Sequence, residues 1–244
     1  MDTIQFKVKQ TFTTQALGTA PADKEVLKNF IASKRAEAEE RRKKAAERMG
    51  VPAIPVAGTE VEEIETISEE KGLTVFHSDL GKRTETGEEG KGLFMFDYQI
   101  MGQWKEAAEI LADIHGVKQV RSKLDNLLCV KPRRIYFHDA AGKHVERAND
   151  RLERPLRAMT MQGPRVSLVS SELLEPGCWI EYVADFLPFL KAGSGKEAKK
   201  IDIFEFSKLV LSLGERRGTL QWRNGGWGRF AYTIESLSPG FEKK

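Results

Sequence analysis

Nine residues near the start of the chain, IQFKVKQTF at 4–12, alternate apolar and polar with Gln10 the one polar residue on the apolar side, and Lys7 and Lys9 lie on the polar side. A period of two sets one face of a strand against a core and the other toward solvent. The sheet that contains this strand therefore needs a cover on one face. Two later segments have the helical period to supply it. IMGQWKEAAEILADIHG (100–116) places Ile100, Trp104, Ala107, Ala108 and Leu111 on one stripe and stops at Gly116. IDIFEFSKLVLSLGERRG (201–218) is read as a second helix, ending at Gly214.

Strand-like pieces fill the intervals. LFMFDYQ (93–99) is a short apolar run of buried-strand type, and LLCVKPRRIYFHD (127–139) reads as two strands around Pro132. RVSLVSSE and WIEYVADF alternate on either side of Pro176–Gly177 and are expected to pair as a hairpin. TLQWRNGGWGRFAYTIES runs through a glycine-rich turn into a last strand. This order predicts an α+β fold with helices on one face of a mainly antiparallel sheet, built from residues 1–23 and 93–244. Residues 24–92 are expected to be set apart. A charged helix over 24–49, capped by Asp23, leads into Pro-rich, acidic and Gly-rich stretches that read as an insertion or arm, with order resuming at Leu93.

Charge is segregated along the chain. Residues 50–115 hold 5 Lys/Arg against 14 Asp/Glu, residues 121–165 hold 11 against 5, and residues 191–229 hold 9 against 4. A polyanion would be repelled by the first stretch and attracted by the other two. MDTIQFKVKQ lacks the pattern of a signal peptide and no apolar run approaches ~20 residues, so a cytoplasmic chain with no membrane partner is expected. Cys129 and Cys178 have no CxxC or Cys/His partner and are expected to be two buried thiols.

The densest chemical signal is Gly214-Glu215-Arg216-Arg217-Gly218 followed by Arg223-Asn224-Gly225-Gly226-Trp227-Gly228-Arg229. Glycines open backbone N–H groups to an anion, arginines match phosphate oxygens as rigid forks, and Trp222 and Trp227 offer faces to unpaired bases. A glycine-rich turn beside solvated arginines is the alternative. The spacing is neither that of a phosphate-binding GxxxxGK[ST] loop nor that of a dinucleotide fingerprint. A second basic cluster contains Lys131, Arg133, Arg134, Arg147, Arg151, Arg154, Arg157 and Arg165, with Tyr136, Phe137 and His138 interleaved. Adjacent on a strand, Arg133 and Arg134 would face opposite sides, so only one could join a shared surface. His77, His115, His138 and His144 form no HxH or HxxxH pair, which predicts no metal site and no cofactor. No nucleophile motif is present, so no catalytic residue is assigned.

Read in order, several segments resemble the RAMP (repeat-associated mysterious protein) superfamily, which forms the RNA-binding backbone of CRISPR effector complexes. IQFKVKQTFTTQALGTAP is similar to the family's first strand and glycine turn, and YQIMGQWKEAAEIL to its strand-to-helix entry, with Gly102 and Lys105 in the expected places. LLEPGCWIEYVADF is similar to its late hairpin, and LSLGERRGTLQWRNGGWGRFAYTI to its closing glycine-rich loop. YQIMGQWKEA, RSKLDN, RPLRAMTMQGPRV and QWRNGGWGRF also resemble a family of bacteriophage and prophage proteins. The RAMP likeness implies a ferredoxin-like (RRM-type) core, self-association along nucleic acid and a sequence-independent grip on its backbone. Two departures stand out. The aspartate with which some members cleave RNA has only Asp23 as a counterpart, and the entry-turn serines are replaced by Met101, Gly102 and Gln103. Cleavage is therefore not carried over.

The expectation is a phage-encoded RNA- or ssDNA-binding protein that forms homo-oligomers. Arg216, Arg217, Arg223, Arg229 and the backbone of Gly225, Gly226 and Gly228 would hold phosphates, and Trp222 or Trp227 would stack on a base. Lys105, Lys123, Arg133 and Arg134 would extend the basic track. Two alternatives stay open: a metal-independent endoribonuclease using His138 or His115, and a protein-binding phage factor that inhibits a host defence complex through the acidic arm.

Overall fold

The computed structural model describes residues 3–21, 73–82, 89–160, 163–193 and 199–237, with the backbone alone at 156–160 and 163–167. The chain divides into one unit of residues 1–18, 76–151 and 172–244 and a second of residues 19–75 and 152–171. The helix expected over 24–49 and the stretch from 50 to 72 lie outside the described residues.

The strands are β1 (Ile4–Phe12), β2 (Ala16–Leu17), β3 (Ala20–Pro21), β4 (Leu73–Val75), β5 (His77–Ser78), β6 (Leu93–Phe96), β7 (Leu128–Lys131), β8 (Arg134–Tyr136), β9 (Asp150–Thr160), β10 (Gly163–Leu174), β11 (Trp179–Phe186), β12 (Lys191–Ala192), β13 (Lys199–Lys200) and β14 (Phe230–Ser236). The helices are α1 (Asp97–Ile110), α2 (Ala112–His115), α3 (Val120–Leu127) and α4 (Ile203–Arg217).

In the first unit β14, β1, β11 and β7 lie side by side, each antiparallel to its neighbour. α1 falls between β1 and β7 in the chain, and α4 between β11 and β14. The alternation of β1 is realised fully: Ile4, Phe6, Val8, Gln10 and Phe12 are buried, and so are Ile180, Tyr182, Ala184 and Phe186 of β11. They share one core with Ile100, Trp104, Ala107 and Ala108 of α1 and Phe206, Val210 and Leu211 of α4. Burying one large apolar side chain contributes about 1.5–3 kcal/mol, so this one face carries most of the unit's stability. Two buried N–H donors inside it share one acceptor, because Gln10 Nε2 and Trp104 Nε1 both donate to Tyr182 Oη at 3.0 Å.

α4 starts where the Asp202 carboxylate accepts from the main-chain N–H groups of Phe204 and Glu205. It does not stop at Gly214, as the sequence suggested, but runs to Arg217 and closes on Gly218. Gly214 is interior for a packing reason: a Cβ there would lie 2.9 Å from both Gln103 Nε2 and Phe230 Cζ. The expected hairpin between RVSLVSSE and WIEYVADF also fails. β10 pairs with β9, and its Leu173 and Leu174 with β2, while β11 joins the four-stranded sheet. The Pro176–Gly177 turn hands the chain across, with Gly177 N–H donating to the Phe12 carbonyl at 2.8 Å. Cys178 is buried, but Cys129 is exposed because β7 turns its odd-numbered positions outward.

A separate three-stranded antiparallel sheet, β5–β6–β8, belongs to the same unit. β7 and β8 follow each other across Pro132, yet one joins each sheet. Strands are present ahead of Leu93, where the sequence suggested that order resumes, since LTVFHS supplies β4 and β5. In the second unit β3 pairs antiparallel with β4, and β4 runs parallel to β10 at Ser170 and Ser171. The Thr74 hydroxyl donates to Ser171 Oγ at 2.7 Å, and Ala20, Leu73 and Val75 form a small apolar cluster. Among the described residues no helix is long and apolar enough to cross a membrane.

Candidate nucleic-acid interface

The glycine-rich segment is a closed loop between α4 and β14. Thr219 N–H donates to the Gly228 carbonyl at 2.9 Å, joining its two ends. Gly228 has φ +69°, and a Cβ there would stand 2.1 Å from the Thr219 oxygen, so no other residue fits. Inside the loop the rings of Trp222 and Trp227 lie nearly parallel, 5.8 Å apart and 12° from coplanar. Gly225 fills the space between them, its Cβ position 3.0 Å from atoms of both rings. No base can enter that gap, so stacking is confined to the outer faces, and Trp222 keeps 41% of its surface exposed.

The loop is tied to α1 by one carboxylate. Glu106 accepts from Arg217 Nη2 at 3.0 Å through one oxygen and from Arg223 Nη1 through the other. Burial would raise the Glu106 carboxyl, but hydrogen bonds from Arg223 and Arg217 override it and hold the group below the usual carboxylate range. Two guanidiniums share one negative charge here, and Arg216, exposed in the last turn of α4, and Arg229, exposed just past the loop, add two more. The cluster is strongly electropositive. The N–H groups of Gly225, Gly226 and Gly228 already donate to the carbonyls of Trp222, Arg223 and Gln15. In this conformation the glycines shape the loop, and the arginine side chains are the groups presented to an anion.

The other basic residues named from the sequence do not continue this cluster. Lys105 pairs with Asp125 of α3 at 2.7 Å, and Lys123 reaches the Lys191 carbonyl at 3.4 Å. Arg133 contacts Asp97 at 2.6 Å, nine residues before Glu106 and so about half a turn round α1 from it. The single track resolves into three places. Arg151 and Arg147 are exposed, Arg154 is buried in the second unit, and the side chains of Arg157 and Arg165 lie outside the described residues.

Arg133 and Arg134 instead join a network of rings around β6 and β8. The Arg133 guanidinium lies 5.3 Å from the Phe96 ring and 5.7 Å from Tyr98, and that of Arg134 5.3 Å from Phe94. Strand alternation was expected to separate the two, but β8 begins only at Arg134, and Arg133 sits in the bend after Pro132. Asp79 anchors the network from beneath, 3% exposed, accepting from Tyr136 Oη at 2.6 Å and Arg134 Nη1 at 3.2 Å. Burial, followed by the Asp79 hydrogen bond, pushes the Tyr136 phenol up to about 12.

The two candidate bases are held in place by the fold. His115 Nδ1 accepts from Val117 N–H at 3.0 Å while Nε2 lies 2.8 Å from the Ala108 carbonyl, so both ring nitrogens are used. His138 lies between Trp179 (4.2 Å, 10°) and His144 (4.4 Å), with Nδ1 buried and the ring hydrogen-bonded to the Tyr136 main chain. Burial and the neighbouring His144 lower its pKa. His115 thus has both ring nitrogens engaged within the fold, and His138 has its Nδ1 buried beneath the stacked rings.

Glu106, Asp79, Tyr98 and Trp179 were not singled out from the sequence. Glu106 meets arginines 111 and 117 positions away and Asp79 meets Arg134 and Tyr136 55 and 57 positions away, so no local motif marks them.

No family model and no curated protein matches the chain. Over 96% of its length it is similar to a chain in the cryo-EM structure of the type III-B Cmr-beta complex bound to cognate target RNA, at 10% identity and a TM-score of 0.40, and it spans 60% of that chain. Over 98% of its length it is similar to a chain of a type IV-B CRISPR complex, again at 10% identity and a TM-score of 0.40, covering 93% of that chain.

Proposed function

We propose that this protein binds RNA or single-stranded DNA through the loop between α4 and β14, without cleaving it. The observation that carries the reading is the joint placement of Arg217 and Arg223 on Glu106 beside the Trp222–Trp227 pair, with Arg216 and Arg229 exposed at the two ends of the loop. A phosphodiester chain needs that combination of positive charge and π-faces, and a protein partner does not. The order strand, helix, strand, strand, helix, strand around an antiparallel sheet of order β14–β1–β11–β7 supports a ferredoxin-like (RRM-type) core. The RAMP resemblance of the sequence agrees with both readings and adds self-association along the bound strand.

The test is fluorescence anisotropy of a labelled U15 and a dT15 oligonucleotide against the full chain at several salt concentrations. Arg229→Ala should weaken binding evenly across sequences and flatten the salt slope by about one unit. Trp222→Ala should weaken it about 10-fold with the slope unchanged. If Arg223→Ala and Arg229→Ala leave affinity and slope as they were, the site is wrong. Light scattering of the complex decides self-association: a mass of one chain per oligonucleotide, whatever its length, rejects it.

A further inference from the structure

We propose a second nucleobase-binding surface in the same unit, a track of aromatic rings on β6, β8 and the start of β11, with single-stranded nucleic acid as its ligand. It rests on the nucleic-acid reading above but uses none of the loop's residues.

The outer face of this region is aromatic where a solvated sheet face is ordinarily polar. β8 turns Ile135 into the core, and Phe137 just beyond it points the same way, each 0% exposed. Arg134, Tyr136 and His138 are thereby left on the other side. From Tyr98 the ring contacts run unbroken to Phe96 at 5.4 Å, Phe94 at 5.1 Å, Tyr136 at 5.9 Å, His144 at 5.3 Å, His138 at 4.4 Å and Trp179 at 4.2 Å. The layer beneath, Phe94 and His77, is largely covered, whereas Tyr98 is 48% exposed and His144 is exposed as well.

Positive charge follows the rings. Lys9 Nζ sits 3.9 Å from the Trp179 ring, Lys91 Nζ 5.8 Å from Tyr136, and Arg133 lies over Phe96 and Tyr98. Asp97 and Asp79 pair with Arg133 and Arg134, which makes these two arginines partly structural, and Lys9 and Lys91 add positive charge at Trp179 and Tyr136. Stacked π-faces edged by cations match bases edged by phosphates. A protein partner with a hydrophobic patch would be poorly served by a surface with cations at five of its seven rings. The register also argues for a built track. His138 and His144 face each other across a tight turn and His138 faces Trp179, so three rings from separate stretches are brought into one column.

The experiment is photo-crosslinking of the full chain to U15 carrying 4-thiouridine, with the adducts located by mass spectrometry, beside U15 binding by the doubly substituted Tyr98→Leu/His144→Ser protein. Both side chains are exposed, so folding should be intact, and Tyr98→Phe serves as the conservative control. Adducts on peptides containing Tyr98, Tyr136, His144 or Trp179, with affinity reduced about 10-fold or more in the double variant and retained by Tyr98→Phe, are expected. Adducts confined to residues 215–230, with the double variant binding like the wild type, would overturn the track while leaving the loop reading intact. Absence of any U15 binding at low salt would remove the loop reading and the track together.

Discussion

Single atoms decide several features of this protein. Gly214 stands in the middle of α4, where alanine is the better helix former by about 1 kcal/mol, yet its missing Cβ is what lets α4 close on Gln103 and Phe230. Gly214→Ala should therefore lower stability by about 1–3 kcal/mol, seen as a fall in the urea midpoint with the denaturant slope unchanged. The sequence invited the opposite reading, because a glycine near a helix end is most often its stop. His77 is a second case. Burial against Phe94 and Phe96 lowers its pKa to about 4, so between that value and the unfolded 6.5 the unfolded chain binds the extra proton. Its contribution to stability is complete above pH 6.5 and is lost as pH falls toward 4. Urea midpoints should decline over that window in the wild type, and His77→Phe should flatten the decline. Glu106 shows the limit of reading residues in a row: nothing in QWKEAAE says that this glutamate meets arginines 111 and 117 positions later.

Elements were more legible than contacts. The alternation of 4–12 and the strands on either side of Pro132 stand where their periodicity places them, whereas the stripe of 100–116 is split between α1, which starts at Asp97 inside the expected strand 93–99, and α2, which Gly116 caps. Periodicity failed where partner choice mattered. WIEYVADF has the pattern of a strand, but only the register with β1 and β7 shows that it leaves the hairpin. The loop from Gly218 to Gly228 was legible as an element and not as a geometry, since composition announces turns and arginines but not the Gly225 wedge between two tryptophans. Its closure rests on Gly228. Gly228→Ala puts a methyl against a main-chain oxygen at positive φ, and should cost about 2 kcal/mol or more. Gly226→Ala has φ +86° but meets nothing closer than the Arg229 guanidinium at 3.7 Å, and should cost about half as much. Chemical denaturation followed by tryptophan emission separates the two.

At the scale of the whole molecule, the charge segregation visible in the sequence is only partly a surface map. Three of the basic residues named from it, Lys105, Arg133 and Arg134, are held by carboxylates of the acidic stretch 50–115 or by Asp125. Much of the opposing charge is thus used inside the fold. The loop and its two ends retain an excess, four guanidiniums against the carboxylates of Glu106 and Glu215, or about two net charges. Binding to an oligonucleotide should then fall about 7-fold between 50 and 200 mM salt, measured by anisotropy titration. A much steeper fall would mean that further basic surface is engaged. The joined ends of that loop have one more consequence. Because Thr219 and Gly228 already touch, the ten residues from 219 to 228 form a cassette that enters and leaves the molecule at nearly the same point. It is a natural unit of exchange: a short turn in its place would leave α4 and β14 meeting as before, and loops of other length and charge spliced at the same two positions would re-address one scaffold to new ligands.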